Sequence, residues 1–508
     1  MLRRTAVIDI GSNSARLVIF ENTSSYGFHL ICEQKSKVRI GEGAYKKDGY
    51  LQPIAIKRAF YTLQSFTSTI NKYSVTHVKC IATSALLDAP NANIFIDWME
   101  EELGLYIEII TGNTEAMYGA IAAGTLLPLK DGITVDIGGG SSDMALIKNG
   151  TIVDTYSLNL GTVRLKELFF DKDLTVDKIN KLAKAYITKQ LKDLPSHFKH
   201  ELVIGIGGTI RNLSKSIIRL SQHPLNKLHA FTYNVDLYKN YFSEISYSKI
   251  KSLKKFQIKK NRYDTIREGT LIFSEILLAI NAKKVITSSV GVREGVYIES
   301  MLKNKNLLIY PDNINPSITS ILDRFKPHIK IEKYSKNRFD IVTLLYGELQ
   351  SEIKDDLHYL QEIDYALKLS DIGNTLNIYK SNQTAFYIAM QELNYGFTHK
   401  EILLISMLLR MHGKSLLDKT LFEEFKTLLP NKDKLLWLSF IYTLTVYITE
   451  SSHNANISFI YRDKTLTINS DKELYLIKDK VEILEKPIPF QILIKDNQKV
   501  PKNRKLGV

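Results

Sequence analysis

Cysteine is almost absent: Cys32 and Cys80 are the only two in 508 residues. That is too few for a disulfide framework, and their spacing offers no CxxC pair for zinc, so a reducing, cytoplasmic compartment is expected. Long apolar runs are missing as well. The longest, residues 435–448, is interrupted by Ser439, Thr443 and Thr445 and falls short of the ~20 residues that span a bilayer. It reads as a buried helix, and no membrane partner is expected. The start Met-Leu-Arg-Arg meets Asp9 too soon for the apolar region of an export signal. Low-complexity tracts are lacking too: 44% apolar and 24% charged residues make a globular balance. The net charge of +14 suits a polyanionic partner and equally a lysine-rich solvated surface.

What is present is a chain too long for one core, since single cores stop growing near ~250–300 residues. Val/Ile-rich runs at 5–10, 15–20, 77–82, 105–111, 133–137, 144–148, 151–158 and 201–205 alternate with longer periodic segments, which is α/β grammar. A repeat lies inside it. Asp9-Ile10-Gly11-Ser12-Asn13-Ser14-Ala15-Arg16 aligns without a gap to Asp136-Ile137-Gly138-Gly139-Gly140-Ser141-Ser142-Asp143, each preceded and followed by an apolar strand. Two related domains are expected, residues 1–128 and 129–302, with Pro128 ending the helix between them. A turn-rich linker follows at 303–316, then a helical domain at 317–432 and, at 433–508, a helix with a small β or α+β appendage.

A strand ending in Asp and running into a Gly-Ser turn gathers backbone N–H groups and hydroxyls beside a carboxylate, an arrangement that holds a phosphate with a divalent metal. One copy is commonly structural. Two at one register, with Asp9 and Asp136 facing across a cleft, resemble the actin and hexokinase group. A third turn, Gly207-Gly208-Thr209, leads into a helix; it either presents amides to an anion or lets helix and strand pack closely. It is not a dinucleotide fingerprint, because Ile210 stands where glycine is required, and Gly413-Lys414-Ser415 is not a P-loop, because Leu408 takes the first glycine's place.

Those turns, together with Ala82-Thr83-Ser84-Ala85, Thr111-Gly112-Asn113-Thr114-Glu115-Ala116, Gly161-Thr162-Val163-Arg164 and Gly291-Val292-Arg293-Glu294-Gly295, resemble the exopolyphosphatase/guanosine pentaphosphate phosphohydrolase (Ppx/GppA) family from residue 1 to about 302. The resemblance implies duplicated actin-like (ribonuclease H-like) domains with a central cleft, followed by an all-α HD-like domain. It implies a cytoplasmic, Mg2+-dependent hydrolase that releases terminal phosphate from polyphosphate or guanosine pentaphosphate, as in a bacterial stringent response. Glu115 is then the general base, in the first turn of a helix that follows a strand and a Gly112-Asn113 turn. Asp136 is the metal ligand, with Asp9 assisting. Ser12, Asn13, Ser14, Gly138, Gly139, Gly140, Ser141, Gly207, Gly208 and Thr209 contact phosphate, and Arg16, Arg164 and Arg293 neutralise it; Arg293 and Glu294 can instead pair with each other. A homodimer is implied, without specific nucleic-acid binding.

Two departures stand out. Leu86-Leu87 occupy the place of a phosphate-reaching arginine, and Ser370 stands where an HD-type site has the histidine before Asp371, with His412 left without metal-binding partners. Two other function classes fit less well: a kinase or ATPase of the same superfamily, and a non-catalytic binder of alarmone or polyphosphate. The segment 249–262 carries Lys249, Lys251, Lys254, Lys255, Lys259, Lys260 and Arg262 with no acid, either a solvated loop or a track for a long polyphosphate chain.

Overall fold

The structure, a computed structural model, describes residues 3–44, 47–325, 331–354, 359–413, 415–451 and 455–496. Lys414 of the rejected P-loop and residues 497–508 of the C-terminal appendage lie outside them. The chain divides into two compact units, Met1–Pro316 and Ser317–Val508. In the first, strands β1 (Arg4–Ile10), β2 (Ala15–Asn22), β3 (Phe28–Ser36), β4 (His77–Ala82) and β5 (Ile107–Ile109) form one sheet in the order β3-β2-β1-β4-β5. Strands β6 (Gly132–Ile137), β7 (Ser142–Lys148), β8 (Thr151–Leu158), β9 (Leu202–Ile206), β10 (Thr232–Asn234) and β11 (Lys284–Thr287) form a second, in the order β10-β11-β9-β6-β7-β8. Without its edge strand β10 the second sheet repeats the first: an antiparallel β-meander, then two parallel strands.

The duplication reaches down to single residues. Asp9 sits opposite Arg16 in the β1–β2 pair, and Asp136 sits opposite Asp143 in the β6–β7 pair. Both turns close with the same bond, Gly11 N–H to Ser14 O at 3.2 Å and Gly138 N–H to Ser141 O at 3.0 Å. β1 and β6 are Val/Ile-rich and almost wholly buried, as central strands covered on both faces must be. The run expected as a strand over 105–111 shortens to β5, because Thr111 leaves the sheet to cap a helix that already begins at Gly112. Its hydroxyl accepts the Thr114 N–H at 3.2 Å. That helix, Gly112–Leu126, is apolar on nearly every side and lies against β7 and β8 of the second sheet and against the helix Val292–Leu302. The helix Val292–Leu302 in turn packs on β1, so it touches the first sheet although it follows the second in sequence.

The second unit is mainly helical. The run read as a buried helix is the centre of Lys432–Ser451, and the segment around residues 400–411 forms the helix His399–Arg410. Strands β12 (Ile457–Arg462), β13 (Thr465–Ser470) and β14 (Gln491–Lys495) make a small sheet. Among the described residues no helix is long and apolar enough to cross a membrane.

Candidate active site

The two hairpin turns meet in one cleft of the first unit. A Cβ placed on Gly139 would come within 2.9 Å of the Ser12 Cβ, so the turns all but touch. The cavity between them, about 140 Å³, is lined by Asp9, Ser12, Asn13, Ser14 and Arg16 from the first turn and Asp136, Gly138, Gly139 and Ser141 from the second. Glu115, the turn Gly207-Gly208-Thr209 and Arg293 complete the lining expected from sequence. Gly140 and Arg164 do not line it. Arg164 turns aside, donating to Gly140 O at 3.0 Å and pairing with Asp88 at 3.0 Å, which follows the leucine pair standing in the arginine's place.

Three carboxyls of the cleft carry shifted equilibria. Burial raises Asp9, against the pull of Arg293 and Arg16. Burial likewise raises Asp136, opposed by Arg211 and reinforced by Asp9. Glu115 is pushed well above the usual carboxylate range, first by burial and then by Asp143, Asp136 and Asp9. Among the described residues none of the three makes a side-chain hydrogen bond or ion pair. Gly207 keeps Asp136 in place: its φ is +77°, and a Cβ there would lie 2.0 Å from Asp136 Oδ1. Gly112 does the same for Glu115, because its Cβ would fall 2.1 Å from Ser157 Oγ, so only glycine lets the helix start press against β8.

Bare, mutually repelling carboxylates fit Mg2+. Among the described residues no group of three or more His, Cys, Asp or Glu side chains assembles a protein-only metal site. Mg2+ needs none, since it is commonly bound through one or two carboxylates with water and substrate phosphates supplying the rest. Asp136 and Asp9 offer that pair.

Sequence reasoning passed over three residues here. Arg211 lies one helical turn past Gly207-Gly208 and lines the cleft. It is held by Ser288 O at 2.7 Å and Val290 O at 2.9 Å and pushed down to about 10, first by burial and then by Arg293. Arg262 was counted only as the end of the lysine-rich segment, yet its guanidinium lies against Gly208 and lines the cavity. Asp143, the last residue of the repeat, accepts from Ser141 Oγ at 2.9 Å and Ser157 Oγ at 2.5 Å, and burial pushes it up to about 7 beside Glu115. A comparison of repeat positions signals Asp143; nothing local in the sequence signals Arg211. Glu294 does not chiefly pair with Arg293, from which it stands 3.9 Å; it accepts the Gly291 N–H at 2.7 Å and caps its own helix. Arg293 instead donates to Glu33 Oε1 at 3.0 Å, the same oxygen that Arg16 reaches at 3.4 Å. Burial disfavours charge on Glu33, but Arg293 and Arg16 outweigh it and hold the carboxyl below its usual value.

In the second unit, Arg338 stands beside Ser370-Asp371, the stretch expected from sequence to be HD-like. Its Nη1 donates to Ser370 Oγ at 2.9 Å, Asp371 Oδ2 at 3.3 Å and Leu367 O at 3.0 Å. His412 is half-buried, and its shielded Nε2 has no hydrogen-bond partner among the described residues.

Comparison with known proteins agrees with this arrangement. The model of the Ppx/GppA phosphatase family matches residues 18–304. A guanosine-5'-triphosphate,3'-diphosphate pyrophosphatase of Pseudoalteromonas translucida is 26% identical over 422 residues, 81% of each chain. A bifunctional 3-dehydroquinate synthase/phosphatase of Fusobacterium nucleatum is 30% identical over 312 residues, 58% of this chain and 46% of that one, so this chain spans less than half of that relative. Among solved structures, the Aquifex aeolicus Ppx/GppA family member has a TM-score of 0.53 at 28% identity, covering 60% of this chain and 100% of its own. An exopolyphosphatase from Cytophaga hutchinsonii, with a TM-score of 0.56 at 22% identity over 61% of this chain and 100% of its own, shares the fold.

Proposed function

Because the chain belongs to the Ppx/GppA phosphatase family, we propose that it is a phosphohydrolase that releases terminal orthophosphate from inorganic polyphosphate, guanosine pentaphosphate or both. The observation that carries this reading is the convergence of Glu115, Asp9 and Asp136 with Arg16, Arg211, Arg262 and Arg293 on one cavity. Hydrolysing a phosphoanhydride asks little covalent chemistry of a protein; it asks for an oriented water and compensated charge. Glu115, with no hydrogen-bond or ion-pair partner among the described residues and a raised proton affinity, is suited to take the proton of the attacking water. The N–H groups and hydroxyls of the two turns hold the terminal phosphate, and the four guanidinium groups offset its charge. Mg2+, held by Asp136 and Asp9, would supply further compensation for the charge on the phosphate oxygens. The cavity is lined by cations, amides and hydroxyls on the scale of a terminal phosphate, the feature that polyphosphate and guanosine pentaphosphate share.

The test is phosphate release from long-chain polyphosphate, guanosine pentaphosphate and ATP, each with and without Mg2+. The reading expects Mg2+-dependent release from polyphosphate, guanosine pentaphosphate or both, and faster than from ATP. Turnover of ATP alone would make the protein an ATPase or kinase of the same fold, and binding without turnover would make it a regulator.

A further inference from the structure

Glu33, on the edge strand β3, stands outside the cavity lining, yet a single oxygen of its carboxylate receives Nη1 from both Arg293 and Arg16. The three side chains differ in exposure: Arg293 keeps 6%, Arg16 19% and Glu33 48%. The guanidinium groups thus belong to the cleft wall, while the acid reaches them from the more open side. They repel each other, each disfavouring charge on Arg16 or on the nearby Arg211. Both also pull on Asp9, so they stand next to the carboxyl assigned to the metal. Two cations of like sign facing a phosphate site need anions beside them when no substrate is there; Asp9 and Glu294 supply part of that charge, and Glu33 is the carboxylate that hydrogen-bonds to both guanidinium groups.

We infer that Glu33 is a positioning residue that sets how tightly the cleft holds orthophosphate: it keeps Arg16 and Arg293 together in the resting enzyme and shares their charge, so that product leaves. This rests on the function proposed above. The experiment is calorimetric titration of the full-length protein with orthophosphate in Mg2+, alongside steady-state kinetics on polyphosphate, for wild type, Glu33→Gln and Glu33→Asp. Gln preserves an accepting oxygen but removes the charge. Glu33→Gln should bind orthophosphate about three- to tenfold more tightly, with the Michaelis constant falling in parallel and kcat falling as release slows. Glu33→Asp, which keeps the charge, should stay within about twofold of wild type. If Glu33→Gln binds orthophosphate no more tightly than wild type, in a protein that still melts as wild type does, the inference is wrong. A Gln variant that melts lower with unchanged phosphate affinity overturns it equally. A wild type that hydrolyses polyphosphate while Glu33→Gln behaves identically defeats this inference alone; a wild type that neither binds nor releases orthophosphate defeats it together with the function it rests on.

Discussion

Asp136 and Asp371 are both aspartates in sheltered surroundings, one in each unit, and the protein treats them in opposite ways. Asp136 ends a buried strand, faces a cavity and has no hydrogen-bond or ion-pair partner among the described residues; Asp9 and Glu115 beside it share that condition. Asp371 is met by Arg338 at 3.3 Å, in a cluster where the same guanidinium also satisfies Ser370 and a backbone carbonyl. A buried carboxylate without a partner costs stability, so three of them sharing one cleft mark a place kept open for an external cation and an anionic substrate. Where a fixed arginine already supplies the positive charge, little is left for a metal to do. The difference separates the unit that carries the proposed chemistry from the one that does not.

Several substitutions would break or sharpen that contrast. The largest effect is expected at Glu115: Glu115→Gln should lower polyphosphate turnover by about 10²- to 10⁴-fold, the usual worth of a general base, with substrate binding largely intact. Asp136→Asn should come next, with a loss comparable to that caused by removing Mg2+, because each leaves phosphate charge uncompensated. A variant that stays active and still responds to Mg2+ as wild type does would move the metal site elsewhere.

The raised carboxyls also predict the pH dependence. Glu115 must be ionised to act as a base, and its equilibrium lies above the ordinary carboxylate range, so the rate should fall on acidification well before pH 4.5. Added Mg2+ favours the ionised carboxyls and should move that acidic limb to lower pH. The sign for stability runs the other way. Asp9, Asp136, Glu115 and Asp143 all have folded-state values raised above their ordinary ones, so they favour the fold most below the unfolded carboxylate range. That contribution is lost as pH rises through the raised values, near 7 for Asp143. In chelator the melting temperature of the first unit should therefore drop between about pH 5 and 8, and Mg2+ should restore part of it.

Smaller effects belong to the surface and to the second unit. The segment after helix Lys239–Ser246 forms two short turns of helix, Ile250–Phe256 and Lys260–Arg262, with its lysines exposed and Arg262 entering the cleft. Replacing Lys254, Lys255, Lys259 and Lys260 with Gln should raise the Michaelis constant for long polyphosphate a few-fold and flatten its salt dependence, with less effect on guanosine pentaphosphate. Equal shifts for both substrates would reduce the segment to a general electrostatic field.

Much of this contrast was legible in the sequence, for reasons that can be named. Asp9 and Asp136 showed themselves because duplication repeats strand, turn and strand at one register, and local pattern is what a sequence displays. Glu115 came from the family resemblance, with its place after a strand and a Gly112-Asn113 turn, in the first turn of a helix, as local support. β3 was missed because an edge strand such as Phe28–Ser36, with half of its residues polar and exposed in part, shows no strong alternation. Arg211 and Arg262 were missed because what makes them cleft residues is the folding of β9 and the lysine-rich segment onto the same turn, and that meeting is long-range. Arg338 was invisible for the same reason: it stands 33 residues from Asp371 and nothing near it announces the pairing.

The most direct measurement is phosphate release from long-chain polyphosphate in Mg2+ by wild type, Glu115→Gln and Asp371→Ala, run side by side with melting curves. Glu115→Gln should melt no lower than wild type but lose at least about 10²-fold in turnover. Asp371→Ala should melt lower, by about 1–3 kcal/mol of stability for stranding the Arg338 charge, and keep its turnover within about twofold. An active Glu115→Gln, or a folded Asp371→Ala that has lost its activity, would contradict the account.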